Sequence, residues 1–263
     1  PTTLMDNAVA INPALPLVEP ASFAGRVAAM PMRSKLSAAL GVAALVGVVL
    51  YGSAASDDVV EGLSDLNVLV IVETLDITTL RALGQTTRAW QEAGNPPPLM
   101  LTRTEWLGSS DVFPMEYADI LERHRVLAGT MPLDGVVVHQ RDLRLQVEQE
   151  SLGKLLRLRR AVMTAGTDVA RQRELLRASL SAVLVIFRSV LRLHGERPSR
   201  DGAHVIADVA THCRLDAQPF LRVHQLVHGG ALADADVASV MAGYLDGVTQ
   251  LARVLDTMRI PDA

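Results

Sequence analysis

Cysteine is almost missing from this chain: Cys213 is the single one among 263 residues. That excludes an intramolecular disulfide framework and any multi-cysteine zinc site. An excess of positive charge is missing too. The formal net charge is −4, so no global basic field exists to hold nucleic acid by counterion release, although a local basic groove is still allowed. Internal repeats and low-complexity tracts are absent. Residues 1–20 contain no Lys or Arg, so the start of the sequence lacks the charged region of a secretory signal. Pro1 as first residue fits removal of an initiator Met, and the expectation is a cytoplasmic protein. The charged fraction of 21% excludes wholesale disorder, and composition also excludes collagen-like and coiled-coil chains.

The hydrophobic fraction of 49% and the length suffice for one large domain or two small ones, each with its own core. Leu36 to Ser56 carries no charge, and about 20 apolar residues span a bilayer. Yet Gly41, Gly47 and Gly52 punctuate the run, and the β-branched cluster Val46, Val48, Val49 sits towards its end. The stretch reads as a helix end followed by a buried strand, not as a membrane span.

Texture divides the sequence into a loose, proline-containing arm over 1–22, an alternating region over 23–137, and an almost strand-free region over 138–263. In the middle part the pattern predicts a helix near Arg33–Leu40 and strands at Leu45–Tyr51 and Asn67–Val72. The second strand is apolar throughout and so buried on both faces. A helix is expected from Asp76 to Ala93, with Asp76 as N-cap and Leu80, Leu83 and Trp90 on helical spacing. Pro96–Pro98 end it. A short strand is expected at Leu99–Thr102, a helical turn at Thr104–Leu107, a strand at Asp111–Asp119 and a helical turn at Glu122–Leu127. Five helices follow: Leu143–Met163, Asp168–Leu193, Ala203–His212, Ala217–Val227 and Asp234–Met258. Such a set packs as a bundle.

The chemistry concentrates where the first strand meets the second. Strand one ends in Gly52-Ser53, and strand two opens with Ser64-Asp65-Leu66-Asn67. Gly52 lets backbone approach a phosphate closely, and Ser53 can donate to it. Asp65 and Asn67 are two apart on a strand, so their side chains point the same way. Oxygen donors so placed suit magnesium ions that clamp a triphosphate.

This arrangement resembles the nucleotidyltransferase fold of the DNA polymerase β superfamily. That family has Gly-Ser, a spacer of about ten residues, and Ser-Asp-x-Asp opening a buried strand. The style is that of minimal and kanamycin-nucleotidyltransferase-like proteins, with a helical domain after the catalytic one. The resemblance implies an α+β chain: a small mixed-sheet nucleotidyltransferase domain followed by an α-helical bundle. It also implies nucleotide binding at Gly52, Ser53 and Ser64, Mg2+ at Asp65 and Asn67, and a nucleoside triphosphate with a hydroxyl acceptor as partners. The acceptor is a small molecule or a protein.

Two departures stand out. Asn67 replaces the family's second aspartate, and a neutral carbonyl oxygen is a poorer magnesium ligand than a carboxylate. The third carboxylate's place falls near Leu99, which cannot bind metal. Glu116, or else Asp119, is the candidate substitute. In the helical half, Glu148 matches by position the family's general base, and Arg144 is a candidate phosphate ligand. The plain alternative is an i,i+4 ion pair on a solvated helix face.

The remaining candidates read more simply as structure. His224 and His228 have metal-ligand spacing, but Gly229-Gly230 follows and marks a helix end. Arg188 and His194 loosely fit the Arg/His pattern of HEPN ribonucleases. Cys213 is a small buried residue. The functional expectation is transfer of a nucleoside monophosphate from a nucleoside triphosphate to a hydroxyl. The alternative is a catalytically degenerate nucleotide-binding or regulatory module, and a third reading is an interaction protein whose helical domain forms a homodimer.

Overall fold

The computed structural model describes residues 45–55, 66–92 and 94–259. The arm over 1–22 and the helix expected at Arg33–Leu40 lie outside the described residues. Four strands form one mixed sheet: β1 (Leu45–Tyr51), β2 (Asn67–Val72), β3 (Leu99–Thr102) and β4 (His124–Gly129), in the order β3-β2-β1-β4. β1 runs antiparallel to β2 and β4, and β2 runs parallel to β3. A 3-10 turn, Gly52–Ala55, follows β1 directly. Among the described residues three helices accompany the sheet: α1 (Ile77–Glu92), α2 (Arg103–Gly108) and α3 (Pro114–Glu122).

The β-branched and leucine-rich runs make β1 and β2 the buried centre. Val48, Leu50, Val68, Val70 and Val72 share a cluster with Leu83 and Trp90 of α1. The alternate residues Val49, Leu69 and Ile71 are buried as well, so both faces are covered, as expected of strands without polar alternation. Asp76 caps α1 by accepting from the Thr79 N–H at 2.7 Å. Leu83 and Trp90 face the core, but Leu80, expected with them, is 45% exposed. Thr102 and Glu105 form a reciprocal capping box at the start of α2.

Two expectations are overturned. Asp111–Asp119 is not a strand: Pro114 stands at the first position of α3, where its missing N–H leaves no helical bond unmade. Glu122–Leu127 is not a helical turn: β4 begins at His124 and pairs with the outer edge of β1. The sheet's demand for an edge partner overrides a local pattern too short to fix its own conformation.

Chain contacts divide the molecule between Val138 and His139. The second unit comprises α4 (Gln140–Ala165), α5 (Val169–Leu193), α6 (Gly202–Cys213), α7 (Gln218–Val227) and α8 (Asp234–Thr257). Asp168 and Asp201 cap α5 and α6 through the N–H groups of Arg171 and Ala203. Within this unit α5 packs against the other four helices. Its core is aromatic: Phe220 lies 5.1 Å from Phe187 and 4.8 Å from Tyr244, ring centroid to centroid. The Tyr244 hydroxyl is hydrogen-bonded to Ser179 at 3.1 Å, and burial pushes its pKa up. Among the described residues no helix is long and apolar enough to cross a membrane.

The contact between α7 and α8 depends on glycine. A Cβ at Gly247 would lie 2.5 Å from the Phe220 ring, and Phe220 is fully enclosed. Gly247→Ala is expected to destabilise the protein by about 1–3 kcal/mol, the usual range for overpacking. At Gly84 in α1 a Cβ would meet nothing within 4 Å. Gly84→Ala is expected to stabilise by about 0.5–1 kcal/mol through lost unfolded-state freedom. Denaturant titration of the two variants reads both signs.

Candidate functional site

The site starts from the last pair of the central ladder. Tyr51 ends β1 opposite Asn67, the first residue of β2, and on its other side opposite His124, the first residue of β4. The chain then turns through Gly52 with φ at +75°, a conformation that favours glycine. The Gly52 N–H donates to the Arg123 carbonyl at 3.2 Å. An ideal Cβ on Gly52 would lie 3.5 Å from Asn67 Nδ2 and 3.9 Å from Asp119 Oδ2. A bare backbone position therefore lies close to both an amide and a carboxylate.

Neighbouring loops fix these groups. The Leu66 N–H donates to Asn95 Oδ1 at 3.3 Å, which holds the start of β2. The indole N–H of Trp90 donates to the Pro96 carbonyl at 2.7 Å, tying the proline run to α1. On α3, Glu116 and Asp119 are three apart and share a helix face. The carboxylates of both raise the pKa of the Tyr51 phenol, after the larger effect of its burial. α3 is anchored through Tyr117, whose ring stacks on Trp106 at 4.4 Å and whose hydroxyl donates to the Trp106 carbonyl at 2.8 Å. Burial pushes the Tyr117 phenol up to about 12.

The structure thus brings together Gly52, Asn67, Glu116 and Asp119 around Tyr51. Ser53 belongs to the 3-10 turn that follows Gly52. Ser64 and Asp65 lie outside the described residues. Leu99 opens β3 opposite Leu69, so no carboxylate stands there. Reading 111–119 as a strand would put Glu116 and Asp119 on opposite faces; α3 puts them on one. Tyr51 and Asn95 had no role assigned from sequence. The signal for α3 was present in Pro114 as a helix-starting residue.

Arg144 and Glu148 belong to the helical unit, on α4. They form an ion pair at 3.0 Å. The Arg144 guanidinium also donates to the carbonyls of Met258 at 2.8 Å and Leu255 at 3.1 Å. It closes the C-terminal end of α8, where a cation is favoured. Arg144 lines a shallow hollow there with Arg141, Leu145, Asp256 and Arg259.

The other polar candidates have structural surroundings. His228 ends α7, its Nδ1 lying 2.8 Å from the His224 carbonyl. The two rings are 4.2 Å apart. The His194 ring stacks on His212 at 4.4 Å, and His212 meets Glu196 at 2.8 Å. Cys213 is buried, which pushes its thiol up to about 11 and disfavours the reactive thiolate. Among the described residues no group of three or more His, Cys, Asp or Glu is placed to hold a metal ion.

No family model matches this chain, and no curated protein matches it in sequence. Among solved structures it is similar to spectinomycin adenyltransferase AAD(9) from Enterococcus faecialis, solved with ATP and spectinomycin. The TM-score is 0.57 at 13% identity, covering 90% of this chain and 100% of that one. The likeness establishes the fold: an α+β nucleotidyltransferase fold, a small mixed sheet followed by helices.

Two measurements test this geometry. Removing a nearby negative charge makes ionisation of a phenol easier, so Asp119→Asn and Glu116→Gln should each lower the pKa of Tyr51. Following tyrosinate absorbance against pH checks this, because the wild-type phenol should titrate above its ordinary value. Gly52→Ala forces a side chain into the left-handed region and should lower stability by about 1–2 kcal/mol in thermal or denaturant unfolding.

Proposed function

We propose that this protein is a nucleotidyltransferase acting on a nucleoside triphosphate and a hydroxyl acceptor. The observation that carries the reading is the convergence of Gly52, Asn67 and Asp119 at the end of the central ladder, in a chain with the fold of an adenyltransferase. In the reaction the acceptor oxygen forms a bond to the α-phosphorus and the bond to the pyrophosphate oxygen breaks. Pyrophosphate leaves, and the hydroxyl proton passes to a base.

The chain's own residues divide this work. Gly52, lacking a side chain, leaves room for a phosphate beside the backbone. Ser53 and Ser64 supply hydroxyl donors. Near Gly52 stand the Asn67 side-chain amide and the Asp119 carboxylate, with Glu116 on the same helix face as Asp119; Asp65 is the further carboxylate this reading assigns to the site from the sequence. An oxygen-only donor set fits Mg2+, which is commonly held by one or two carboxylates and substrate phosphates. When bound, the ion would neutralise phosphate charge and polarise the reacting oxygens. In this reading Asp119 takes the part of the carboxylate missing at Leu99. Arg144 and Glu148 are engaged with each other and with α8, so phosphate binding by Arg144 and base catalysis by Glu148 would require that pair to open.

A second reading has an observation in its favour. Asn67 is neutral and Leu99 is apolar at two places where the fold's enzymes carry carboxylates. A module that binds nucleotide through Gly52 and Ser53 without turnover needs neither. Calorimetry with the four nucleoside triphosphates, with and without Mg2+, separates the readings. The enzyme reading expects Mg2+-dependent binding that weakens at least about tenfold in Asp65→Ala. Asn67→Asp, which restores a carboxylate, should tighten it. Binding that ignores both Mg2+ and Asp65→Ala would mean the degenerate module. No binding under any condition would overturn the nucleotide hypothesis.

A further inference from the structure

Helix α4 is apolar on two faces. Leu143, Val147, Leu155 and Leu158 are buried inside the helical unit, while Leu145, Leu152, Leu156 and Met163 are exposed. Met163 is 73% exposed. At 3.6 residues per turn these four positions fall within about 40° of arc on the outward side. They form one stripe along about 27 Å of helix. Glu148 and Gln149 separate Leu145 from the central pair Leu152 and Leu156, and Arg159 and Arg160 separate Met163 from it. An ordinary surface helix carries only polar residues on such a face, and exposed apolar side chains aligned among charges mark a binding surface.

The order of residues identifies the occupant. The stripe is symmetric about Lys154: Leu152 and Leu156 lie two residues either side of it, Leu145 and Met163 nine either side. When a second α4 lies antiparallel across a two-fold axis at that point, Leu152 faces Leu156 of the partner and Leu145 faces Met163 of the partner, each contact made twice. This is the self-complementarity that an isologous dimer requires. Charge follows the same symmetry. The first half of α4 carries Glu148 and Glu150, and the second carries Lys154, Arg157, Arg159 and Arg160. In the antiparallel pair Glu148 falls within one residue of the level of the partner's Arg159, on the same flank of the stripe, whereas a parallel pair would set like charges side by side.

We propose that the protein forms a homodimer through antiparallel packing of its two α4 helices, with Leu152 and Leu156 at the centre. The dimer does not rest on the nucleotidyltransferase reading, and it stands or falls independently of nucleotide binding.

Sedimentation equilibrium of the full chain tests it. The wild type should show a monomer–dimer equilibrium. Leu152→Glu should shift it to monomer while circular dichroism and thermal unfolding of the monomer stay unchanged. Arg159→Glu should weaken dimerisation by setting it against Glu148, whereas Arg159→Lys, which keeps the charge, should leave it intact. Orientation is read from disulfides. A mixture of Leu152→Cys and Leu156→Cys chains should cross-link more readily than either alone, with Cys213 buried and silent. A wild type that is monomeric at every concentration, or a dimer indifferent to Leu152→Glu, would overturn the proposal. The stripe would then be covered by another part of the chain or by a different protein. Preferential cross-linking of Leu152→Cys alone would overturn the antiparallel arrangement.

Discussion

The antiparallel pairing of β1 with β2 is the constraint on which the sheet unit depends. Both strands are enclosed on both faces, so their backbone groups have no water to turn to and must pair with each other and with β3 and β4. The ladder then fixes, by register alone, that Tyr51 ends opposite Asn67. The chain leaves the sheet at Gly52 beside an amide whose position is already set. Everything attributed to the site follows from that fixed ending. The capping loops, the Asn95 bond to Leu66 and the Trp90 bond to Pro96 hold the same end of the sheet in place.

Local chemistry and fold point in partly different directions. The fold is that of a nucleotidyl-transferring enzyme, yet the opening of β2 offers an amide at Asn67, and β3 opens with an apolar residue. A carboxylate does reach this end of the sheet, from a helix. α3 ends near Gly52 and brings Asp119 to it, with Glu116 on the same helix face. A carboxylate delivered by a helix approaches the turn from a different direction than one delivered by a neighbouring strand. The two arrangements are therefore not interchangeable.

The helical unit is held by other means. Its core is a set of aromatic contacts centred on Phe220, made possible by the absence of a side chain at Gly247. Arg144 serves as a cap on α8 rather than as a free cation. That leaves α4 as a helix with two apolar faces, one satisfied inside the unit and one turned outward.

The long periodic elements were legible in the sequence alone. Asn67–Val72 and Leu99–Thr102 are strands as read, and the five helices of the second unit lie within a few residues of their expected spans, because burial pattern and capping residues agree there. The Gly-Ser and Ser-Asp spacing was enough to identify the fold. Short segments were not legible. Asp111–Asp119 and Glu122–Leu127 exchange conformations relative to expectation because a window of six to nine residues contains too few periods to distinguish a helix from a strand. What settled them was Pro114 at a helix start and the open edge of β1 awaiting a partner. With that exchange came the placement of Asp119 beside Gly52, which no spacing in the sequence encodes. The sequence determined which residues the core would hide. Only the tertiary structure decided which acids would meet at its end, because that depends on the direction of a helix packed from outside the sheet.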